Sequence, residues 1–262
     1  MVVDLFEQFH PLLAYGAIVV FIVAAAFVGD RFGEWAQRSE AGRSDTSTLS
    51  GATLGLVGLL LAFTFSLALS RYEARRNWVV EEANAISSTA NFALMLPRPA
   101  QKPILDLLHE YTEVRAGLGV PFDPDKFQRD IARSLDLQNR LWQHAVDVTA
   151  AAPQSLPAYR FVASLNEINN IHERRLSALL YHVPRVVMGA LIGVAMVAMG
   201  FTGYLVGTSG GKRIVSIALM SVTLGGLILL IVDLDRPARG LIVVKPVSLE
   251  HVLENYPAPQ PP

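Results

Sequence analysis

The stretch that decides the fold reads TSTLSGATLGLVGLLLAFTFSLALS, from Thr46 to Ser70, and contains no charged side chain. A helix needs about 20 predominantly apolar residues to cross the hydrocarbon core of a bilayer, so this stretch predicts a membrane span. From Ser50 to Leu96 the chain has no Pro, and no Gly follows Gly58 within it. Because these two residue types are the usual helix breakers, we predict that the helix leaves the membrane and continues to residue 96.

Three more stretches of similar length lack Asp, Glu, Lys and Arg: Gln8–Gly29, Val186–Gly211 and Ile214–Val232. Across all 262 residues, 52% are hydrophobic and 17% are charged. A soluble domain usually carries about 25% charged residues. Four such runs in one chain of this size argue against buried helices of a soluble core. We therefore predict four transmembrane helices, at residues 8–29, 46–70, 186–211 and 214–232.

The segment between the second and third predicted spans, residues 71–185, has a different composition. It holds 14 of the 22 basic residues and 13 of the 23 acidic ones. Apolar residues recur there at spacings of three and four, as at Ile104 and Leu108, which is typical of helices with one buried stripe. The pattern places Leu135 on such a stripe and Pro103 between two helices. We predict an all-α membrane protein with this helical domain inserted between its spans, and a tail at residues 233–262.

Basic residues near the predicted spans indicate the orientation. With both termini and the inserted domain inside, nine basic residues flank the inner side and five lie in the outer loops. The positive-inside rule favours this arrangement, so the N- and C-termini are predicted to be cytosolic. The inner residues are Arg71, Arg75, Arg76, Arg174, Arg175, Arg185, Arg236, Arg239 and Lys245, and the outer ones are Arg31, Arg38, Arg43, Lys212 and Arg213.

No catalytic or cofactor motif is complete. The run from Gly207 to Lys212 resembles a phosphate-binding loop, but it is one residue too short and Arg213 replaces the required Ser or Thr. The absence of Cys excludes thiol catalysis and thiolate metal sites. The net charge of −1 excludes a basic protein that coats nucleic acid. We therefore expect no enzyme activity, no cofactor and no nucleic-acid partner.

Leu59, Phe63 and Ser66 fall on one face of the second predicted span, because their spacing follows the helical repeat. If the protein conducts ions, we expect the narrowest point of the pore here, as an uncharged constriction that closes by dewetting. Phe65 points in a different direction. The alternative is that both Phe rings face lipid or a neighbouring span.

Polar residues continue the long helix beyond the membrane at spacings of three and four: Glu81, Asn84, Ser88 and Asn91. They are predicted to face water in a vestibule near a symmetry axis. Arg71 and Arg75 stand just inside the predicted membrane. They are interpreted either as vestibule residues that concentrate anions or as anchors that contact lipid phosphate groups.

Two acidic and two basic residues follow the fourth predicted span: Asp233, Asp235, Arg236 and Arg239. Their spacing of three and four allows Asp233 to pair with Arg236, and Asp235 with Arg239. The cluster is interpreted either as plain interfacial ion pairing or as a charge-paired site that docks against the long helix. A charged ring at a pore mouth is a further alternative.

Three segments together resemble the bestrophin-like family of bacterial membrane proteins, over Ser50 to Leu249. They are RYEARRNW at 71–78 followed by EEAN at 81–84, then LNEINN at 165–170 with HERRL at 172–176 and HVP at 182–184, and DLDRPARG at 233–240. The run from Tyr72 to Arg75, with Trp78 after it, is also similar to a segment of bestrophin ion channels.

The resemblance implies an oligomeric, pore-forming protein of the bacterial inner membrane. We therefore expect a homo-oligomer in a lipid bilayer that conducts small ions through a pore lined by the second span. The competing hypothesis is a non-conducting membrane scaffold whose helical domain recruits a partner. A scaffold needs an exposed apolar patch on that domain.

Overall fold

The computed structural model describes residues 11–38, 46–119, 123–209, 214–236 and 241–255. Within these ranges the chain is helical and has no strand, which confirms the predicted all-α class. The helices are α1 Pro11–Arg38, α2 Thr46–Ala93, α3 Arg98–Ala116, α4 Pro124–Ala151, α5 Leu156–Leu180, α6 Arg185–Thr208, α7 Ile214–Asp235 and α8 Val247–Asn255.

Four helical stretches are long and apolar enough to cross a membrane: Gly16–Ala36, Ser47–Ala93, Leu156–Thr208 and Val215–Asp235. The apolar parts of these stretches coincide with the runs that the sequence singles out. Helix α1 continues nine residues past Gly29 and therefore includes charged side chains such as Asp30 and Arg31. The charge-free run thus marks the apolar part of α1 and not its end.

Helix α2 is a single helix of 48 residues, so it is about 72 Å long and exceeds the thickness of a bilayer. No break occurs between Ser70 and Trp78, as the absence of Pro and Gly predicts. The helix ends at Ala93, three residues before Leu96.

The chain divides into two compact units. The first, called the apolar unit, comprises residues 1–71, 182–236 and 240–242. Its helices α1 and α6 approach closely, because a Cβ atom at Gly203 would collide with the carbonyl oxygen of Ala26, and one at Gly29 with that of Gly200. Gly203 and Gly207 thus form the small-residue contact that lets two membrane helices meet at their backbones.

The second, called the polar unit, comprises residues 72–181, 237–239 and 243–262. Its core contains residues of α2, α3, α4, α5 and α8, among them Ile86, Tyr111, Leu141, Phe161 and Leu249. Helix α8 belongs to the stretch that the sequence identifies only as a tail. Its buried residues Leu249 and Val252 show that this stretch contributes to the core.

Two sequence predictions for the polar unit are wrong in detail. Pro103 lies inside α3 and not between helices, at the cost of one backbone hydrogen bond. Leu135 is 42% exposed, whereas Leu137 and Leu141 are fully buried. The stripe of α4 is therefore shifted, because Ser134 and Gln138 take buried positions that a purely apolar pattern does not anticipate.

Candidate functional site

The predicted gate residues all lie on an exposed face of α2. Phe63 is 66% exposed and Leu59 is 53% exposed, and Ser66 is exposed as well. The structure therefore brings these three residues to one open face of the apolar unit. Such an exposed face can line a pore, contact lipid or pack against a neighbouring subunit.

The opposite side of the same helix is packed within the chain. Ser50, Val57, Thr64 and Ala68 are buried and follow one another at spacings of seven, seven and four. The hydroxyl of Thr64 donates to the carbonyl oxygen of Leu60 at 2.7 Å, so it is satisfied by its own helix. Phe65 lies nearer this seam than Phe63 and is 37% exposed. The two rings thus occupy different environments.

Glycines divide into packed and open positions. An added Cβ at a glycine of the α1–α6 contact, such as Gly203, would collide with backbone atoms. An added Cβ at Gly51, Gly55 or Gly58 would meet no atom of the described chain within 4 Å. The same holds for Gly189 and Gly193 on α6. These open glycines do not serve packing among the described residues of a single chain.

The predicted vestibule residues separate into two groups. Four of them lie at exposed positions of the polar unit: Glu81, Asn84, Ser88 and Asn91. Arg75 is buried, and Arg71 is half-buried in the apolar unit. The two arginines therefore do not belong to the exposed polar face of α2.

Asp233 and Asp235 are buried at the end of α7 and accept hydrogen bonds from backbone amides. The Asp233 carboxylate accepts from Leu241 N at 2.8 Å and from Ile242 N at 2.9 Å. Asp235 Oδ1 accepts from Val183 N at 2.8 Å. The two acids thus fix the chain segments that precede α6 and follow α7. Arg239 lies outside the described residues, so its pairing with Asp235 stays a prediction, as does that of Arg236 with Asp233.

A buried charged cluster in the polar unit was not predicted. The carboxylate of Glu82 on α2 contacts two guanidinium groups, those of Arg115 on α3 and Arg175 on α5, and all three side chains are buried. Arg115 Nε donates to Glu82 Oε1 at 2.6 Å. Arg175 also donates from Nη2 to the carbonyl oxygen of Arg115 at 3.2 Å. Three helices are therefore joined through one carboxylate.

Neutral polar groups surround this cluster. The Tyr111 hydroxyl donates to Glu82 Oε1 at 3.2 Å and lies 3.4 Å from His172 Nδ1. Gln138 Nε2 donates to the same hydroxyl at 3.3 Å, which adds α4 to the network. Burial and the negative charge of Glu82 raise the pKa of Tyr111, so its hydroxyl stays protonated. Burial alone would lower the pKa of Arg115, but the charge and the hydrogen bond of Glu82, together with smaller contributions from other groups, raise that pKa overall.

A sequence signal for this cluster exists. Arg115 continues the buried series Ile104, Leu108 and Tyr111 at a spacing of four, and these four residues are all buried. Glu82 likewise lies between the buried residues Val79 and Ile86. A charged residue at a buried position of a stripe needs an opposite charge, so such positions predict a buried ion pair.

The described residues contain no group of three or more His, Asp or Glu side chains that could hold a metal ion. The sites that the structure presents are therefore a long exposed helix face and a buried ion cluster.

Comparisons with known proteins assign the family. A family model described as the bestrophin-like domain matches residues 16–249. Among curated proteins, no sequence matches significantly. The fold is similar to crystal structures of a bacterial bestrophin homologue from Klebsiella pneumoniae. One, which carries a Trp-to-Ala mutation, has a TM-score of 0.73 at 13% identity, and the match covers 93% of this chain and 97% of that one.

A second structure of that homologue, with a Tyr-to-Ala mutation, matches at a TM-score of 0.70 and 15% identity over 91% of this chain and 97% of that one. At such low identity these matches show a shared fold and nothing finer. The family match extends over most of the sequence and includes all three segments that carry the resemblance. The chain is a membrane protein and belongs to the bestrophin-like family.

Proposed function

We propose that the protein is a subunit of a homo-oligomeric membrane channel for small ions, in which α2 lines the conducting path. The observation that carries this proposal is the exposed face of α2. It is apolar and uncharged in the apolar unit, at Leu59 and Phe63, and polar in the polar unit, at Asn84 and Asn91. A pore needs such a change from a narrow apolar segment to a hydrated one.

Helical spacing supports one continuous face. Phe63, Ser70, Asn77, Asn84 and Asn91 follow one another at intervals of seven residues, and all five are exposed. A repeat of seven keeps positions on one side of a helix that winds gently around a common axis. In a symmetric oligomer, each of these positions would form a ring around that axis.

The open glycines support assembly into an oligomer. Gly51, Gly55, Gly189 and Gly193 have room for a side chain in the single chain, although small residues in membrane helices usually serve close packing. In an oligomer, these glycines would allow close packing against a helix of a second copy, as Gly203 and Gly207 do within the chain. We therefore assign them to subunit interfaces.

The charge of the exposed face favours cations. Glu73 and Glu81 lie on it and are exposed, whereas Arg75 is buried and Arg71 is half-buried. Arg76 is exposed three residues after Glu73 and can pair with it, but Glu81 has no basic residue three or four positions away. Rings of carboxylates attract cations and repel anions. Small cations are therefore the proposed permeant ions.

The proposed orientation has both termini and the polar unit in the cytosol of a bacterium, with the spans in the inner membrane. It is supported by the greater number of basic residues on that side. Reporter proteins fused after Pro262 or inserted near Asp125 should then report the cytosol, and one inserted near Ser44 the opposite side. A cytosolic signal at Ser44 contradicts this orientation.

A second candidate is the membrane scaffold, and one observation favours it. Helix α4 exposes Leu135, Trp142 and Val146, which share one side of the helix by their spacing. An exposed apolar patch of this kind can bind a partner protein. The same patch can also contact a second subunit, so the patch alone does not distinguish the two functions.

Electron microscopy of the purified protein in detergent tests the proposed function. A ring of identical subunits with an axial path bordered by the exposed face of α2 supports the channel. A monomer, or an assembly in which Phe63 and Asn84 face away from any axis, favours the scaffold.

A further inference from the structure

We propose that the guanidinium group of Arg115 holds a small inorganic anion of the chloride class inside the polar unit. The side chain of Arg115 is fully buried. Its Nε atom binds Glu82, but its Nη1 and Nη2 atoms are buried without a hydrogen-bond partner among the described residues. These two atoms carry the four N–H donors that form the fork with which Arg binds anions.

The net charge of the cluster also favours a bound anion. One carboxylate, that of Glu82, faces the two guanidinium groups of Arg115 and Arg175, so the buried cluster has one excess positive charge. An unbalanced charge in a protein interior is costly unless a counter-charge accompanies it. Glu173 also acts on Arg115 but is exposed, and it makes no ion pair with it. Its charge lowers the local potential without satisfying the donors.

The surroundings contain a further unpartnered polar atom. His172 Nε2 is buried and unpartnered among the described residues, while the Nδ1 atom of this ring is within hydrogen-bond distance of Tyr111. The Tyr111 ring lies 5.9 Å from the Arg115 guanidinium carbon, so it contributes a cation–π contact and leaves the N–H donors free. A water molecule would accept one or two of these hydrogen bonds but would not balance the charge. An anion does both.

Thermal unfolding of the full-length protein in detergent tests the proposal, which is independent of ion conduction. Sodium chloride is compared with sodium gluconate at equal ionic strength, because gluconate is too large for a buried site. Wild-type protein should unfold about 2–4 °C higher in chloride, with a saturable dependence on concentration. Arg115→Gln should abolish this rise, because the remaining pair of Glu82 and Arg175 is neutral.

Arg133→Gln is the matched control, since Arg133 is an exposed arginine of the same unit that pairs with Glu110 and Asp136. This variant should keep the full chloride effect. Equal midpoints of wild type in the two salts, or an undiminished rise in Arg115→Gln, would overturn the proposal. Crystals grown in bromide give a second measurement on wild type, which does not depend on folding of a variant. An anomalous peak beside Arg115 supports the anion, and water alone at that position contradicts it.

Discussion

Arg115 Nε donates a hydrogen bond of 2.6 Å to Glu82 Oε1, and neither side chain is exposed to solvent. The two residues are 33 positions apart in the sequence and belong to α2 and α3. Arg175 on α5 contacts the second oxygen of the same carboxylate. Glu82 thus places one carboxylate between two buried guanidinium groups of the polar unit.

Replacing Glu82 with Gln should therefore strongly destabilise the protein. The variant removes the carboxylate that pairs with both buried guanidinium groups, and breaking a buried ion pair in this way costs about 3–5 kcal/mol. Denaturant unfolding of the purified protein measures the loss. Glu81→Gln is the control, because Glu81 is exposed on the same helix and its replacement should change the free energy of unfolding by less than about 0.5 kcal/mol. Similar stabilities of the two variants would contradict the structural role of Glu82.

Gly203→Ala should weaken the contact between α1 and α6. The new methyl group would collide with the backbone carbonyl of Ala26, which cannot move away without separating the helices. Overpacking of this kind costs about 1–3 kcal/mol. The yield of folded protein and its melting temperature should both fall. Gly16→Ala on α1 is the control, since an added Cβ there meets nothing within 4 Å. An unaffected Gly203→Ala variant would show that the contact is not tight.

Asp233 at the end of α7 should be sensitive to amide replacement. Asp233 uses both carboxylate oxygens, which accept from Leu241 N and Ile242 N. An Asn side chain keeps only one oxygen and would direct its NH2 group at a backbone donor in Asp233→Asn. That variant should lose about 1–3 kcal/mol of stability, measured by thermal unfolding. An unchanged stability of Asp233→Asn would contradict the function of Asp233 as an acceptor for these two backbone amides.

Glu81→Gln should reduce the preference of the channel for cations. The carboxylate lies on the exposed face of α2, and each subunit of a symmetric oligomer would contribute one to a ring. In a salt gradient across a planar bilayer, the reversal potential should move toward zero in this variant. Glu113→Gln removes a carboxylate from α3 instead and should leave the potential unchanged. An unchanged potential in Glu81→Gln would remove this residue from the ion path.

Much of the fold can be predicted from the sequence because the relevant signals are local. Four charge-free runs indicate the spans, and the absence of Pro and Gly over residues 59–96 indicates the length of α2. The Gly203 and Gly207 pair also signals a close helix contact, although its partner helix α1 is identified only by the structure.

The partners of the buried charged residues and of the two acids at the end of α7 cannot be predicted from the sequence, because these partners are distant in the chain. Glu82 and Arg175 are 93 residues apart, so the helical pattern can place a charged residue on a buried stripe but does not identify its partner. Asp233 and Asp235 are in the sequence next to basic residues, which suggests ion pairs. The backbone amides that they bind belong to residues 183, 241 and 242 and have no sequence signal.

Ion flux into liposomes that contain wild type, Phe63→Ala or Phe65→Ala tests most directly whether α2 lines a pore. Phe63 lies on the exposed face with Leu59 and Ser66, so removing its ring should widen the constriction and raise the flux. Phe65 lies off this face, and its replacement should affect folding more than flux. All three proteins must first show the same oligomer by size-exclusion chromatography. Higher flux through Phe63→Ala alone is the predicted result, whereas equal, background-level flux from wild type and Phe63→Ala would contradict the channel.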